Sequence, residues 1–164
     1  MPRTGKVPKR QIEPDLLYGS PIVAKLINKL MEDGKKALAQ KVVYGAFEAI
    51  GQKDQDPVKT LEKALENIMP RMEVRPRRVG GASYMVPLEV RGPRKLSLAI
   101  SWLVDAARAR SPSQTQRFKN YPLIASKLAT EIIEAAQGTG RAVAKKAEMH
   151  RMSEANKAFA HFRW

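Results

Sequence analysis

The stretch Val74 to Val90 reads V-R-P-R-R-V-G-G-A-S-Y-M-V-P-L-E-V. Tyr84, Val86, Leu88 and Val90 alternate with Met85, Pro87 and Glu89, the two-residue period of a strand with two different faces. Val74 to Val79 forms a shorter arm interrupted by Pro76, and Gly80-Gly81-Ala82-Ser83 lies between the arms. Glycine supplies the positive φ of a hairpin turn. A proline in each arm removes a ladder donor, so both arms are expected to be edges, with no larger sheet to join. Arg75, Arg77, Arg78, Arg91, Arg94 and Lys95 lie in or just beyond the ribbon. Two readings follow: a projecting basic arm that grips a polyanion, or a small hairpin on a core whose charges are merely solvated.

Around the ribbon the chain reads helical. Ser20-Pro21 is a helix start, an N-cap serine before proline at the first helical position. Val23, Leu26, Ile27 and Leu30 share one side, with Lys25 and Lys29 nearly opposite. Gly34 ends that segment, and Lys35-Lys36 open a second helix carrying Leu38, Val42, Val43, Ala46, Phe47 and Ile50. Cations at a helix start oppose its dipole, which suits a nearby phosphate as well as it suits a solvated pair. Asp56-Pro57 caps a third helix through Leu61, Leu65 and Ile68, whose outer charges cancel. Beyond the ribbon, Gly92-Pro93 begins a fourth helix with Leu96, Ile100, Leu103, Val104 and Ala107 inward, and Arg94 and Arg108 outward. Trp102 is off that stripe and is expected against a neighbour. A fifth helix runs from about Pro122 to Gly138 on Ile124, Leu128, Ile132 and Ala135. The sixth begins near Gly140 with Arg141, Lys145 and Lys146. Its apolar pattern is weak, so its end is expected to lift off the body. The fold class is therefore mainly α: six helices in a single domain, with a protruding two-stranded hairpin between the third and fourth.

Composition narrows the function. Thirty Lys and Arg against 16 Asp and Glu give a net charge of +14, a field that attracts nucleic acid or an anionic surface. There is no cysteine, hence neither a disulfide framework nor a thiolate metal site. No apolar run is long enough to span a bilayer and no leader pattern is visible, so a soluble cytoplasmic protein is expected. Residues 1–19 hold Arg3, Lys6, Lys9 and Arg10 among three prolines and read as a basic arm. The helical domain is placed at 20–157, with the hairpin at 73–91. A tail at 158–164 interleaves Phe159, His161, Phe162, Arg163 and Trp164, a mixture that suits stacking on bases, docking on a partner, or packing on the chain's own domain.

Catalysis is not expected. His150 and His161 are the only histidines, and their separation is not that of a helical ligand pair. Gly34-Lys35-Lys36 resembles the end of a phosphate-binding loop, but Lys29 stands where that loop needs glycine. No cofactor, metal or small-molecule substrate is called for. An RNA-binding scaffold and an architectural DNA-bending protein with basic β-arms remain. The latter carries an apolar wedge at the arm tip, where this chain has Gly80-Gly81.

Four blocks then carry a resemblance. They are Ser20 to Ala46 with Gly34-Lys35-Lys36, Ala64-Leu65-Glu66-Asn67, the ribbon from Arg77 to Val90, and His150 to Trp164. Over nearly its whole length the chain resembles the bacterial-type ribosomal protein S-seven family of the small ribosomal subunit. The resemblance implies a cytoplasmic ribosomal protein, an organellar ribosome being the other setting. It implies a primary binder of the 3′ major domain of 16S ribosomal RNA that nucleates assembly of the subunit head. The implied position is near the decoding region and the exit-site transfer RNA, at the subunit interface, with proteins S-nine and S-eleven as neighbours. Carried onto this sequence, ribosomal RNA falls to Arg3, Lys6, Lys9, Arg10, Lys25, Lys29, Lys35, Lys36, Arg75, Arg77, Arg94, Lys95 and Arg108. Transfer RNA proximity falls to Arg78, Gly80, Gly81, Tyr84 and Arg141. The stretch Ser111 to Tyr121 looks longer than in most relatives, which leaves the contacts near it open.

Overall fold

A computed structural model of the chain describes residues 5, 11–52, 56–112 and 122–162. Among the described residues it has six α-helices: α1 (Pro21–Leu30), α2 (Lys36–Gly51), α3 (Pro57–Ile68), α4 (Gly92–Ala109), α5 (Leu123–Ala136) and α6 (Arg141–Ala155). A 3-10 segment, Lys157–Phe162, follows α6. Between α3 and α4 stand β1 (Met72–Val79) and β2 (Ala82–Glu89), an antiparallel pair with no third strand in its sheet.

The caps fall where side-chain chemistry puts them. Ser20 accepts from the Ile22 N–H, and Asp56 accepts from those of Val58 and Lys59. Each is followed by proline, whose missing donor costs nothing at a helix start. The apolar stripe of α1, Val23, Leu26, Ile27 and Leu30, is buried as one set. Phe47 and Ile50 of α2 and Leu61, Leu65 and Ile68 of α3 are almost wholly enclosed. Each such side chain contributes roughly 1.5–3 kcal/mol on burial. Trp102 of α4 packs at the edge of the same core.

Helix α5 is the axis of the bundle. It packs against α2, α3, α4 and α6, so its buried residues encircle it instead of forming the single stripe expected. Glu131 is among them at 0% exposure. It accepts from Arg110, itself 5% exposed, and from the Ala142 backbone N–H at 2.9 Å. Arg110 also donates to Glu134. One buried guanidinium thereby ties the end of α4 to α5 and, through Glu131, to the first turn of α6. Gly140 lets the chain pass here: its φ is +95°, and an added Cβ would lie 3.0 Å from the Glu131 carboxylate.

The ribbon turns more tightly than its sequence suggests. Val79 pairs with Ala82, leaving a two-residue loop of Gly80 (φ 57°) and Gly81 (φ 89°). Positive φ at both positions matches the right-handed twist of the strands. The base of the ribbon is packed, with Val86, Pro87, Val90 and Glu73 buried, while Arg78, Gly80, Gly81 and Ser83 are exposed. It is thus seated at one end and projects at the other.

Helix α6 does not lift away as expected. The Arg71 N–H donates to His150 Nε2 at 3.0 Å, and Lys146 Nζ donates to the Asn67 carbonyl at 2.7 Å. Polar anchors replace the apolar stripe that α6 lacks. Asn67 in turn donates through its side chain to the carbonyls of Ala135 and Ala136 at the end of α5. Ahead of α1, Asp15 accepts from the Leu17 and Tyr18 N–H groups and from the Tyr44 hydroxyl at 2.9 Å. Tyr18 closes edge-on against Phe47, ring centres 4.9 Å apart. Burial pushes the Tyr44 phenol up, and its bond to Asp15 adds to the shift.

Candidate nucleic-acid interface

Among the described residues, the basic residues singled out in the sequence fall into three places on the body, with Arg141 apart from them. The first surrounds the start of α4. Lys25 and Lys29 of α1 line a groove of about 370 Å³ together with Pro93, Leu96 and Ile100 of α4. Beside it, Arg75 and Arg77 of β1, Arg91, and Arg94 of α4 line a cavity of about 550 Å³. The two depressions adjoin at Pro93 and Arg94, successive residues of the first turn of α4. Lys95 follows, half-buried. Elements far apart in sequence thus bring Lys25 and Lys29 to one depression and Arg75, Arg77 and Arg94 to the other, the latter also lined by Glu73 and Glu89. The N-terminal turn of α4 adds the positive end of its dipole.

The second place is the α1–α2 connection. Asp33 (φ 51°) and Gly34 (φ 73°) turn the chain there, and Lys35 and Lys36 are exposed beyond them. The surroundings are of mixed sign. Lys35 Nζ is 3.7 Å from Asp33, and Arg108 is bound to Glu32 at 2.8 Å and to the Leu30 carbonyl at 3.0 Å. Arg108 thus fastens the end of α1 to α4 and is already engaged. Arg3, Lys6, Lys9 and Arg10 lie outside the described residues.

The third place is the ribbon tip. Arg78, Gly80 and Gly81 are exposed. Tyr84 is half-buried, its ring 5.2 Å from those of both Phe159 and Phe162. Phe159 and Phe162 therefore pack on the chain's own ribbon, the third of the readings offered for the tail, while Arg163 and Trp164 lie outside the described residues. Arg141 does not join the tip. It sits at the other end of α6, where it donates to the Ala109 carbonyl at 2.8 Å, while the ribbon meets the His150 end and the segment after α6.

Several working residues escaped the sequence reading. Glu73, 4% exposed, accepts from Arg75 and Arg94 and links β1 to α4. Asp15, Asn67, Arg110 and Glu131 hold backbone turns and helix ends. Each acts on a partner distant in sequence, and no periodic signal marks such contacts. The Ala64–Asn67 block was a hint, and its Asn67 proves to be the cap on α5. Burial pulls the His150 imidazole below its ordinary range, with the positive charges of Lys146 and Arg71 acting the same way. Burial likewise lowers Lys146, with Arg71 adding to it. Among the described residues no cluster of three or more His, Cys, Asp or Glu is placed to hold a metal, and no helix is long and apolar enough to cross a membrane.

Comparison with known proteins covers the whole chain. The family model described as ribosomal protein S7p/S5e matches residues 2–157. The chain is 57% identical to a small ribosomal subunit protein uS7 of Caldicellulosiruptor bescii. It is 58% identical to that of Caldanaerobacter subterraneus subsp. tengcongensis and 49% to that of Halorhodospira halophila. In each case all of both chains is covered.

Proposed function

This chain belongs to the ribosomal protein S7p/S5e family, and from that premise we propose that it is a primary binder of the 3′ major domain of 16S ribosomal RNA. As a member of that family it is a structural constituent of the small ribosomal subunit, a non-enzymatic ribonucleoprotein component acting in translation. The finer reading is that it nucleates the subunit head and lies near the decoding region. Proteins S-nine and S-eleven are its neighbours, the exit-site transfer RNA is close by, and the particle is cytoplasmic.

The observation that carries this reading is the convergence of α1, β1 and the start of α4. Lys25 and Lys29 line one depression and Arg75, Arg77 and Arg94 line a second, and the first turn of α4 contributes Pro93 to the one and Arg94 to the other. Rigid helices hold these cations at fixed spacing, which favours recognition of a folded RNA's shape over its base sequence. Lysine and arginine replace counterions on crowded phosphates, and the released ions drive the junction to close. The arm at residues 1–19, the domain at 20–157 and the tail at 158–164 then divide the work. In this division Arg3, Lys6, Lys9 and Arg10 follow the RNA backbone, Lys35, Lys36 and Arg108 border it, and Arg78 with Gly80 and Gly81 approaches transfer RNA. Tyr84 supports that approach by seating the ribbon on Phe159, and Arg141 contributes from the far end of α6. Nothing observed favours the DNA-bending alternative, whose apolar wedge has no counterpart at Gly80-Gly81.

The test is cosedimentation with small subunits followed by crosslink mapping. Crosslinks from β1 and α4 should fall in the 3′ major domain. Crosslinks confined to another domain, or competition by duplex DNA equal to that by the RNA fragment, would remove the reading.

A further inference from the structure

A buried acid is an odd residue to find under a surface that binds a polyanion. Glu73 lies at the base of β1 and is 4% exposed. Its Oε1 accepts from Arg75, from Nε at 2.6 Å and Nη2 at 2.5 Å. Its Oε2 accepts from Arg94 Nε at 2.6 Å, from the first turn of α4. The carboxylate is hidden, but the two guanidiniums are not: their side chains are 51% and 49% exposed. They border the cavity of about 550 Å³ that Arg77 and Arg91 also line.

The bonding pattern matters more than the charge count. Arginine has five N–H donors in a rigid planar fork. Glu73 engages Nε and Nη2 of Arg75 and Nε of Arg94, which leaves the other donors of each fork for a second acceptor. Without that anchor each side chain samples many rotamers, and ordering them falls to the ligand. The same carboxylate spans a strand and a helix, so it also fixes the ribbon's base relative to α4.

We propose that Glu73 is a positioning residue that holds Arg75 and Arg94 in the one arrangement where both guanidiniums meet phosphodiester groups of the folded RNA. The proposal rests on the ribosomal RNA reading above and adds a residue of the opposite sign to it. Its consequence runs against simple electrostatics. Removing a negative charge from a basic face should strengthen binding to any polyanion. Removing this one should weaken binding to the structured RNA.

The experiment uses the full chain and two ligands, a 3′ major domain fragment of 16S ribosomal RNA and poly(U). Glu73→Gln is expected to lose roughly tenfold in affinity for the fragment, the scale of one well-placed charged contact, while poly(U) binds equally or more tightly. Glu73→Asp, which keeps the charge on a shorter stem, should fall between wild type and Glu73→Gln. Glu73→Gln binding the fragment as tightly as wild type, or losing both ligands in parallel, would overturn the proposal. Arg75→Ala/Arg94→Ala made alongside should also lose at least tenfold for the fragment. If it binds as wild type does, this face is not the RNA face, and the underlying reading falls together with the inference. A measurement on the wild-type chain needs no folded variant. The Arg75 and Arg94 Nε–H resonances should persist when the fragment is added, because Glu73 still holds them. Their loss on RNA binding would count against Glu73.

Discussion

Replacing Arg110 by methionine tests the internal frame that sets the cations in place. Arg110 is 5% exposed and Glu131 is 0% exposed. The guanidinium donates to Glu131 and, through Nη1 at 2.9 Å and Nη2, to Glu134. These bonds, the one to Glu134 foremost, hold Arg110 above its ordinary pKa, so its guanidinium is ionised throughout the working range. Methionine fills much of the same space but leaves Glu131 buried with only the Ala142 N–H for a partner. Stranding one member of a buried pair costs about 3–5 kcal/mol. For a domain of this size, about 2–4 °C of melting temperature is lost per kcal/mol, so Tm should fall by roughly 6–20 °C. The second half of the prediction is sharper. Arg110→Met/Glu131→Gln removes the stranded charge yet keeps an acceptor for Ala142, so it should recover at least half of the loss. Thermal melts followed by circular dichroism at pH 7 measure both. A single variant within about 2 °C of wild type, on the same conversion, would refute the reasoning. So would a double variant less stable than the single one.

The ribbon can be shortened without disturbing its seat. Deleting Arg78, Val79, Ala82 and Ser83 removes two facing pairs and keeps Gly80-Gly81 between Arg77 and Tyr84. Tyr84 stays on Phe159 and Phe162. Helical circular dichroism should be unchanged and Tm should move by no more than about 2 °C, as for surface changes generally. Fragment affinity should hold while exit-site transfer RNA occupancy of the subunit changes, and collapse of the helical signal would show the tip to be structural. His150 gives a pH dependence. Its folded-state pKa is depressed, so the unfolded chain takes up the proton first. Its contribution is complete above the unfolded value of about 6.5 and is lost as pH falls through the folded value. Wild type should therefore lose more Tm than His150→Gln between pH 7.5 and 5.5, and equal losses would contradict this.

How much the sequence discloses differs by element. In α1, Ser20, Pro21 and four residues at helical spacing specify the start, the inner face and the outward lysines, because cap chemistry and amphipathic period are local. The ribbon is equally legible from Gly80-Gly81 and the alternation after it. Helix α6 is not, since its anchors are single hydrogen bonds, one accepted by His150 and two donated by Lys146 and the Ala142 N–H, that join it to residues outside the helix. The burial of Arg110 and Glu131 is hidden for a related reason: two charges belong in a core only when they meet each other, and nothing at either position announces the partner. The cationic region was legible as residues and not as a place. Lys25, Arg75 and Arg94 lie on three separate elements, and only the packing of α1 and β1 around the start of α4 unites them. Of the remaining candidates, Arg108 proved to be fastened to Glu32 and Leu30, and Tyr84 to its own chain's aromatics.

The most direct measurement is the salt dependence of affinity for the 3′ major domain fragment. A bundle that works by presenting fixed cations to phosphates should release counterions in proportion to the contacts it makes. The convergent region supplies Lys25, Lys29, Arg75, Arg77, Arg94 and Lys95, and about six neutralised phosphates give a log–log slope near −4 to −5. A slope shallower than about −1, equivalent to a single phosphate, would mean that these cations do not carry the binding.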